Sequence, residues 1–263
     1  MASALQVFIT GASSGIGSAL AKHYAKQGAT LGIAARRGDA LKALAADLLG
    51  AGAQEVACYP LDVTDAGALR GAAQDFISRF GAPGIVIANA GVSVGTLSEF
   101  PEDLEAIRRI FDINVYGMAA TFSPFIASMR QAAKHGRPGR LVGMASVAGI
   151  RGLPGSEAYS ASKAAAIAYL ESLRLEMRDS GIKVVTIAPG YIATPMTAIN
   201  SYPMPFLLPA AEAARRFARL IERGTSYAVV PWQMGLVAKL LRLLPNPLYD
   251  RLFANAPRKP RGL

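Results

Sequence analysis

The sequence contains few of the residues that form disulfides and metal centres. Its 263 residues include one cysteine and two histidines, which excludes an internal disulfide. No cysteine or histidine cluster has metal-ligand spacing, so no metal site is predicted. Cys58 lies in the apolar stretch 56–61, where a buried structural thiol is expected rather than a nucleophile.

Long apolar runs and a leader pattern are also lacking. No uninterrupted apolar stretch approaches the ~20 residues that a membrane span needs. Residues 1–6 lack the basic and apolar regions of a signal peptide. We therefore expect a cytoplasmic protein, or one that is peripheral to a membrane.

Charge is unevenly distributed along the chain. Apolar residues make up 52% and charged residues 17%, and the net charge is +10. Residues 232–263 hold six basic residues against one acid, a surplus of five and half of the net charge. A basic tail can meet an anionic membrane, nucleic acid or water. Because no nucleic-acid motif or basic platform with interleaved aromatic residues accompanies it, no nucleic-acid partner is predicted.

Strand-like apolar segments alternate with helix-like segments throughout. Strands are predicted at residues 5–10, 30–35, 55–61, 84–88, 140–145, 183–188 and 226–230. Helices are predicted in a segment ending at residue 26 and at about residues 39–49, 65–80, 101–118, 160–180 and 210–223. This order predicts an α/β fold, a three-layer doubly wound parallel sheet of the Rossmann type, which binds ligands at the carboxyl ends of its strands.

The first predicted strand runs straight into a glycine-rich turn. Gly11, Gly15 and Gly17 allow a tight turn and a close backbone approach. The helix that follows offers free N–H groups to a pyrophosphate. A glycine-rich turn alone is weak evidence, but its position between a first strand and a helix favours dinucleotide binding.

Two arginines follow the second predicted strand. A dinucleotide fold that binds the adenosine ribose hydroxyls carries an acidic residue here, whereas this chain has Ala35 followed by Arg36 and Arg37. Arginines match an additional 2′-phosphate, and the alternative is a loop of solvated arginines. Asp62, after the third strand, is placed to reach the adenine edge.

Two asparagines are further candidates. Asn89, with Ala90 and Gly91, follows the fourth strand, where small residues let the backbone lie against a flat ligand and the amide can tie neighbouring strands together. Asn114 lies in the predicted helix 101–118. Its amide is costly to bury unpaired, so a satisfied core amide is the simpler interpretation.

A tyrosine and a lysine stand four residues apart at the start of the fifth predicted helix. Tyr159 and Lys163 therefore share one helix face. A lysine beside a phenol favours the phenolate and lowers its pKa, which makes the hydroxyl a usable proton donor and acceptor. Ser146 ends the apolar run 141–145 and can hydrogen-bond the same substrate oxygen. Tyr-x-x-x-Lys alone favours a surface tyrosine and a solvated lysine on an ordinary helix, so the site depends on the other residues that follow strands.

Taken together, these residues resemble the short-chain dehydrogenase/reductase family in its compact single-domain form. The resemblance covers roughly residues 5–194 and the last strand. Its motifs are Thr10-Gly11-Ala12-Ser13-Ser14-Gly15-Ile16-Gly17, Asp62-Val63, Asn89-Ala90-Gly91, Asn114, Ser146, Tyr159-Ser160-Ala161-Ser162-Lys163 and Pro189-Gly190.

The resemblance implies a role for each position. Tyr159 is the general acid in carbonyl reduction and the base in alcohol oxidation, and Lys163 lowers its pKa and bonds the nicotinamide ribose. Ser146 holds the substrate oxygen, and Asn114 anchors a water that links Lys163 to solvent. The cofactor is NADP(H), and the residues implied to bind it are Gly11, Ser13, Ser14, Gly15, Ile16, Gly17, Arg36, Arg37, Asp62, Val63, Asn89, Ala90, Gly91, Tyr159, Lys163, Pro189, Gly190, Ile192 and Thr194.

Two segments are candidates for substrate and partner contacts. Residues 194–208 mix methionine, aromatic and proline residues, as a mobile lid over an apolar ligand or a packed surface loop does. Residues 231–245 form an apolar helix too short to cross a bilayer. It can pack in an oligomer interface, cap the substrate channel or lie in a membrane surface. We expect a homodimer or a homotetramer.

The sequence thus predicts one catalytic domain, residues 1–231, extended by an apolar helix and basic tail, residues 232–263. The predicted reaction is hydride transfer between NADPH and an apolar or lipid-like carbonyl or alcohol. An NAD-dependent alcohol or hydroxysteroid dehydrogenase is the alternative enzyme. A non-catalytic cofactor-binding scaffold is disfavoured, since no catalytic position is missing.

Overall fold

Parallel strands form the centre of the computed structural model, which describes residues 4–200 and 202–261. The nine strands are β1 (Gln6–Thr10), β2 (Thr30–Ala35), β3 (Glu55–Pro60), β4 (Ile85–Ala88), β5 (Gly139–Met144), β6 (Ile182–Pro189), β7 (Ile192–Ala193), β8 (Leu208–Pro209) and β9 (Tyr227–Val230). Seven of them form one sheet in the order β3-β2-β1-β4-β5-β6-β9, and every neighbouring pair is parallel. β7 and β8 pair separately.

Some sequence-based expectations fall outside the described residues. These concern residues 1–3 of the segment judged to lack a leader, Ser201 of the lid segment, and the last two residues of the basic tail.

Helices cover both faces of the sheet. The ten α-helices of the described residues are α1 (Gly15–Ala25), α2 (Gly38–Gly50), α3 (Ala66–Phe80), α4 (Asp103–Phe111), α5 (Gly117–Lys134), α6 (Glu157–Glu176), α7 (Pro195–Ala198), α8 (Ala210–Arg223), α9 (Trp232–Leu243) and α10 (Asn246–Phe253). A π-helical turn, Asp112–Tyr116, joins α4 to α5, and a short 3₁₀ turn, Val147–Gly149, follows β5. The predicted fold class, a doubly wound parallel sheet with an apolar helical extension, is confirmed.

The alternation of side chains along β1 shows how the two layers are filled. Val7 and Ile9 point to one face, into the cluster built with α1, α2 and α8. Phe8 points to the other face, into the cluster built with α3, α5 and α6, where it packs against Phe76 and Phe125. Since both faces are buried, the strands are continuously apolar, which is the pattern visible in the sequence.

The prediction that the long helix ends near Met118 is wrong. The helical path continues through the π-helical turn into α5 and ends at Lys134, with Pro124 inside it. Gly117 and Pro124 weaken local helix propensity. Burial of Phe122, Phe125 and Met129 against the sheet outweighs that cost. Other predicted ends agree within a few residues, although α6 stops at Glu176, before about residue 180.

By length and composition alone, residues 103–134 could cross a membrane. They are the one such segment among the described residues, and polar and charged residues interrupt its apolar stretches. Because α5 contributes Met118, Phe122 and Phe125 to the interior of this fold, we assign the segment as a core helix.

Candidate active site

The predicted site residues converge on one cleft of about 320 Å³ at the carboxyl ends of the strands. All of them except Gly17 and Asn114 line it. The lining residues from the prediction are Gly11, Ser13, Ser14, Gly15, Ile16, Arg36, Arg37, Asp62, Val63, Asn89, Ala90, Gly91, Ser146, Tyr159, Lys163, Pro189, Gly190, Ile192 and Thr194. Among the described residues, no group of three or more histidine, cysteine, aspartate or glutamate residues could hold a metal ion.

The glycine turn is shaped by backbone conformations and contacts that side chains would prevent. Gly11 has φ +65° and Gly15 has φ +56°, in the left-handed region that favours glycine. A Cβ on Gly17 would lie 2.3 Å from the Gly11 carbonyl oxygen, so Gly17 packs behind the turn and does not line the cleft. Ser14, the residue before α1, makes no side-chain cap, so the first N–H groups of the helix remain available to an anion.

Asn89 ties β4 to the glycine turn. Its side-chain nitrogen donates to the main-chain oxygens of Thr10 (3.1 Å) and Gly11 (3.2 Å). Its main-chain nitrogen donates to the Thr10 hydroxyl at 3.2 Å. The amide therefore holds two strand ends at a fixed separation, the structural role suggested by the sequence.

The adenosine end of the cleft is basic. Arg36 and Arg37 are both exposed at the end of β2, and Arg37 donates to the Ser13 hydroxyl at 3.2 Å. Asp62 accepts hydrogen bonds from the main-chain nitrogen and the hydroxyl of Thr64, so its carboxylate is oriented by its own turn. Open backbone N–H groups, two arginines and a flat small-residue wall fit a dinucleotide carrying a 2′-phosphate.

The residues predicted to handle the proton lie just beyond β5 and on α6. Ser146 lies two positions after the end of β5 and caps the 3₁₀ turn, where its oxygen accepts from the Ala148 main-chain nitrogen at 3.2 Å. Ser146 and Tyr159 both line the cleft, and the Ser146 hydroxyl lies close enough to the phenol to affect its pKa. Lys163 is 5% exposed, and its ammonium donates to the Met144 carbonyl at 2.8 Å. That nitrogen lies 5.8 Å from the centre of the Tyr159 ring.

The expected direction of the Tyr159 shift is not observed. Burial raises the pKa of Tyr159, and the nearby Ser146 hydroxyl offsets only part of this rise. Burial also lowers the pKa of Lys163 to about 8, and its ammonium is directed at Met144 rather than at the phenol. In this geometry Tyr159 is a protonated phenol at neutral pH, the form that donates a proton.

Asn114 is fully buried and has no surface on the cleft. Its amide nitrogen donates to the Val92 carbonyl and the Ser162 hydroxyl, both at 3.0 Å. Its amide oxygen accepts from the Val92 main-chain nitrogen at 2.9 Å. Both amide hydrogens are thus used within the protein, which matches the satisfied core amide. Its part in a water path to Lys163 stays a prediction.

Sequence reasoning missed residues that position the site. Ser162 donates to the Tyr159 carbonyl at 2.8 Å and so links Asn114 to the helix that carries the tyrosine. Arg151 donates to the carbonyls of Leu241 and Leu244, and its guanidinium lies 3.8 Å from the centre of the Tyr249 ring. Ser162 stands inside the Tyr159–Lys163 motif, which was a usable signal. No pattern pairs Arg151 with residues about ninety positions away.

Comparison with known proteins agrees with this geometry. The family model for short chain dehydrogenase matches residues 6–202. The chain belongs to the short-chain dehydrogenase/reductase family. An uncharacterized oxidoreductase of Myxococcus xanthus is 40% identical over 242 residues, covering 92% of this chain and 93% of that protein. A protein of Arabidopsis thaliana named 11-beta-hydroxysteroid dehydrogenase-like 2 is 34% identical over 95% of this chain and 82% of its own length.

Solved structures of other short-chain enzymes have the same fold. A 3-ketoacyl-(acyl-carrier-protein) reductase from Brucella melitensis, complexed with NADH, matches with a TM-score of 0.77 and 25% identity, covering 87% of this chain and 97% of that one. An alcohol dehydrogenase from Thermococcus sibiricus, complexed with 5-hydroxy-NADP, matches with a TM-score of 0.76 and 26% identity, covering 86% and 95%. Membership of this family makes the chain an oxidoreductase of the nicotinamide-dinucleotide class.

Proposed function

We propose that this chain is an NADP(H)-dependent oxidoreductase that interconverts a carbonyl compound and its alcohol. The observation that carries the proposal is the meeting of Ser146, Tyr159 and Lys163 in the same cleft as the glycine turn and the two arginines. The dinucleotide supplies the hydride that adds to the carbonyl carbon. Ser146 donates a hydrogen bond to the carbonyl oxygen, and the Tyr159 phenol gives that oxygen a proton.

The choice of NADP over NAD depends on the chain's own residues. Ala35 leaves the end of β2 without a carboxylate, and Arg36 and Arg37 supply positive charge there. Guanidinium groups bind phosphate oxygens in pairs, so the site favours the phosphorylated dinucleotide. The alternative is an NAD-dependent alcohol or hydroxysteroid dehydrogenase, and the named hydroxysteroid-type relative justifies testing steroids.

An apolar substrate body is supported by the segment that begins at the edge of the cleft with Thr194. Met196 lines the cleft, and Ile199, Phe206 and Leu207 are exposed on the same segment. The segment is positioned by Thr197, whose hydroxyl donates to the Ile192 carbonyl at 2.6 Å. Large apolar groups left at the rim of a cleft can cover an apolar ligand.

A panel of carbonyl compounds tests the proposed function. Small ketones, steroids, quinones and long-chain oxo compounds are supplied with NADPH or NADH, and cofactor oxidation is followed by absorbance. We expect turnover of an apolar member with NADPH preferred. Higher efficiency with NADH contradicts the cofactor assignment, and no turnover in either direction with either cofactor contradicts the activity.

We further propose that the outer face of α9 and α10 contacts an anionic membrane surface. The inner face is occupied, since Met234 and Ala238 are buried and Tyr249 donates to the Gly152 carbonyl. Three basic residues, Lys239, Arg242 and Arg251, are exposed on the outer face. The large apolar residues exposed on the same face are Trp232, Leu236, Val237, Leu240, Leu243, Leu248 and Leu252. Apolar side chains flanked by basic ones suit the boundary between acyl chains and anionic headgroups.

Vesicle flotation tests this contact. The full chain should co-float with vesicles of phosphatidylcholine and phosphatidylserine but less with phosphatidylcholine alone. Leu240→Glu with Leu243→Glu should abolish flotation, and Leu175→Glu, an exposed leucine on α6, is the matched control. A chain that never floats, and whose dimer or tetramer the α9 variants dissociate, would show instead that this face joins copies of the chain.

A further inference from the structure

The C-terminal tail crosses the loops beside Tyr159. The Gly95 nitrogen donates to the Pro260 carbonyl at 2.9 Å, and a Cβ on Gly95 would lie 2.3 Å from the Lys259 oxygen. A Cβ on Gly155 would lie 2.9 Å from the Arg258 side chain. Gly95 lies shortly after the β4 end, and Gly155 lies between Ser146 and Tyr159. Two glycines therefore let the tail lie directly on the two loops.

A buried carboxylate anchors the tail. Asp103 is 5% exposed and accepts two hydrogen bonds from Arg261, at 2.8 and 3.1 Å. These bonds lower the pKa of Asp103, and the guanidinium also lies 3.7 Å from the centre of the Phe100 ring. Because a buried carboxylate needs a partner, the tail is part of the folded structure at this point.

This anchoring places the side chain of Lys259 beside the catalytic tyrosine. Its ammonium donates to the buried Ser93 hydroxyl at 2.8 Å and lies 5.8 Å from the centre of the Tyr159 ring. It forms no ion pair with the described residues, whereas Arg261 nearby forms two. The side chain is partly buried, and burial lowers its pKa.

An ammonium in this position has unused bonding capacity. Its three N–H groups find one acceptor, Ser93, among the side chains of the described residues. Removing a charge from water is costly unless hydrogen bonds or an opposite charge compensate it. A carboxylate would provide both if it belonged to a ligand that extends from the cleft past the Tyr159 ring to Lys259, with its carbonyl at the Tyr159 hydroxyl.

We propose that Lys259 binds an anionic group of the substrate, so that the enzyme acts on apolar oxo acids and their hydroxy acids. This inference rests on the proposed function and deepens it. The segment around Met196 contacts the body of such a molecule, Ser146 and Tyr159 hold its carbonyl oxygen, and Lys259 holds its carboxylate. Specificity then arises because a neutral analogue leaves the ammonium without its partner.

Kinetics with matched acids and esters test the proposal. The reduction of levulinate, methyl levulinate and their longer-chain homologues is measured for the wild type and for Lys259→Gln. Arg258→Gln, which changes a neighbouring basic residue, is the control. We expect Lys259→Gln to lower kcat/KM for the acids about 10- to 100-fold, mostly through KM, because a charge-assisted hydrogen bond is lost. The esters should change less than about two-fold, and Arg258→Gln should behave as the wild type.

A binding measurement separates this proposal from the proposed function. Octanoate, which has no ketone to reduce, should raise the melting temperature of the wild-type protein with NADPH, whereas octanol should not, and Lys259→Gln should abolish the difference. Octanoate binding that depends on Lys259 supports the anion site even where no carbonyl is reduced. The proposal would be overturned if the esters were reduced as well as the acids, or if Arg258→Gln lost as much kcat/KM for the acids as Lys259→Gln. It would also be overturned if the pH profile shifted for acid and ester alike.

Discussion

The ammonium of Lys163 donates a hydrogen bond of 2.8 Å to the main-chain carbonyl of Met144. Met144 is the last residue of β5, and Ser146 follows two positions later. The contact therefore joins the helix that carries Tyr159 to the strand that delivers Ser146. It also explains how a buried lysine is tolerated, since the carbonyl replaces one of the water molecules it has lost.

Burial of Lys163 should be visible in the pH dependence of stability. The amine binds a proton up to about pH 10.5 when unfolded but only up to about pH 8 when folded. Between these values the unfolded state holds more protons, so the free energy of unfolding rises with pH. In urea titrations, we expect the free energy of unfolding of the wild type to rise by about 2 kcal/mol relative to that of Lys163→Met between about pH 8 and about pH 10. A constant difference would contradict the burial.

Tyr159→Phe should remove turnover and spare cofactor binding. The variant keeps the ring but loses the proton donor, and general acid–base groups contribute at least about 100-fold to rate. The drop in kcat is measured with the best ketone of the panel, and NADPH affinity by fluorescence titration. Tyr169→Phe, on the same helix α6, is the matched control. Undiminished kcat in Tyr159→Phe would disprove the assignment and favour the non-catalytic scaffold.

Arg36→Asp should shift the cofactor preference toward NADH. A carboxylate at the β2 end repels a 2′-phosphate and can accept from ribose hydroxyls. The ratio of kcat/KM for NADPH to that for NADH should fall at least about 10-fold. Arg137→Asp changes the charge equally at an exposed loop position and should leave the ratio unchanged. An unchanged ratio in Arg36→Asp would mean that solvated arginines, not a phosphate site, follow β2.

Arg151→Ala should loosen the C-terminal helices. Its guanidinium holds the carbonyls at the end of α9 and lies over Tyr249 of α10. We expect the unfolding free energy to fall by about 1–3 kcal/mol and amide exchange in residues 241–253 to accelerate. Arg178→Ala, an exposed arginine beyond α6, serves as control. Unaltered exchange in that segment would show that α9 and α10 pack without the arginine.

Gly17→Ala should destabilise the chain although alanine is the better helix former. A Cβ at this position meets the Gly11 carbonyl oxygen at 2.3 Å and the Asn89 amide at 2.6 Å. The backbone on one side and the hydrogen-bonded amide on the other cannot move freely. We therefore expect the free energy of unfolding to fall by about 1–3 kcal/mol. Gly50→Ala meets no atom within 4 Å and should be neutral or slightly stabilising. Thermal melts of the two variants make the comparison.

The sequence by itself determined the features that depend on local patterns. Apolar strands, their order and the glycine turn are encoded in short segments, because each needs a composition that neighbouring residues supply. Residues such as Arg36, Asn89 and Ser146 could be assigned to one site because parallel strands bring their carboxyl ends to one edge. Where local propensity and burial conflicted, as at Gly117 and Pro124, the sequence misplaced the end of the helix.

Only the tertiary structure decided the features that join distant parts of the chain. Burial raises the pKa of Tyr159 and the Ser146 hydroxyl offsets part of that rise, and the spacing of Tyr159 and Lys163 encodes neither effect. Contacts from Arg151 to Leu244 and from Arg261 to Asp103 span about ninety and more residues. In the sequence Lys259 is one of six basic residues in the tail 232–263, whereas packing of that tail on Gly95 brings it beside Tyr159. Such contacts depend on how the whole chain packs, so no local pattern predicts them.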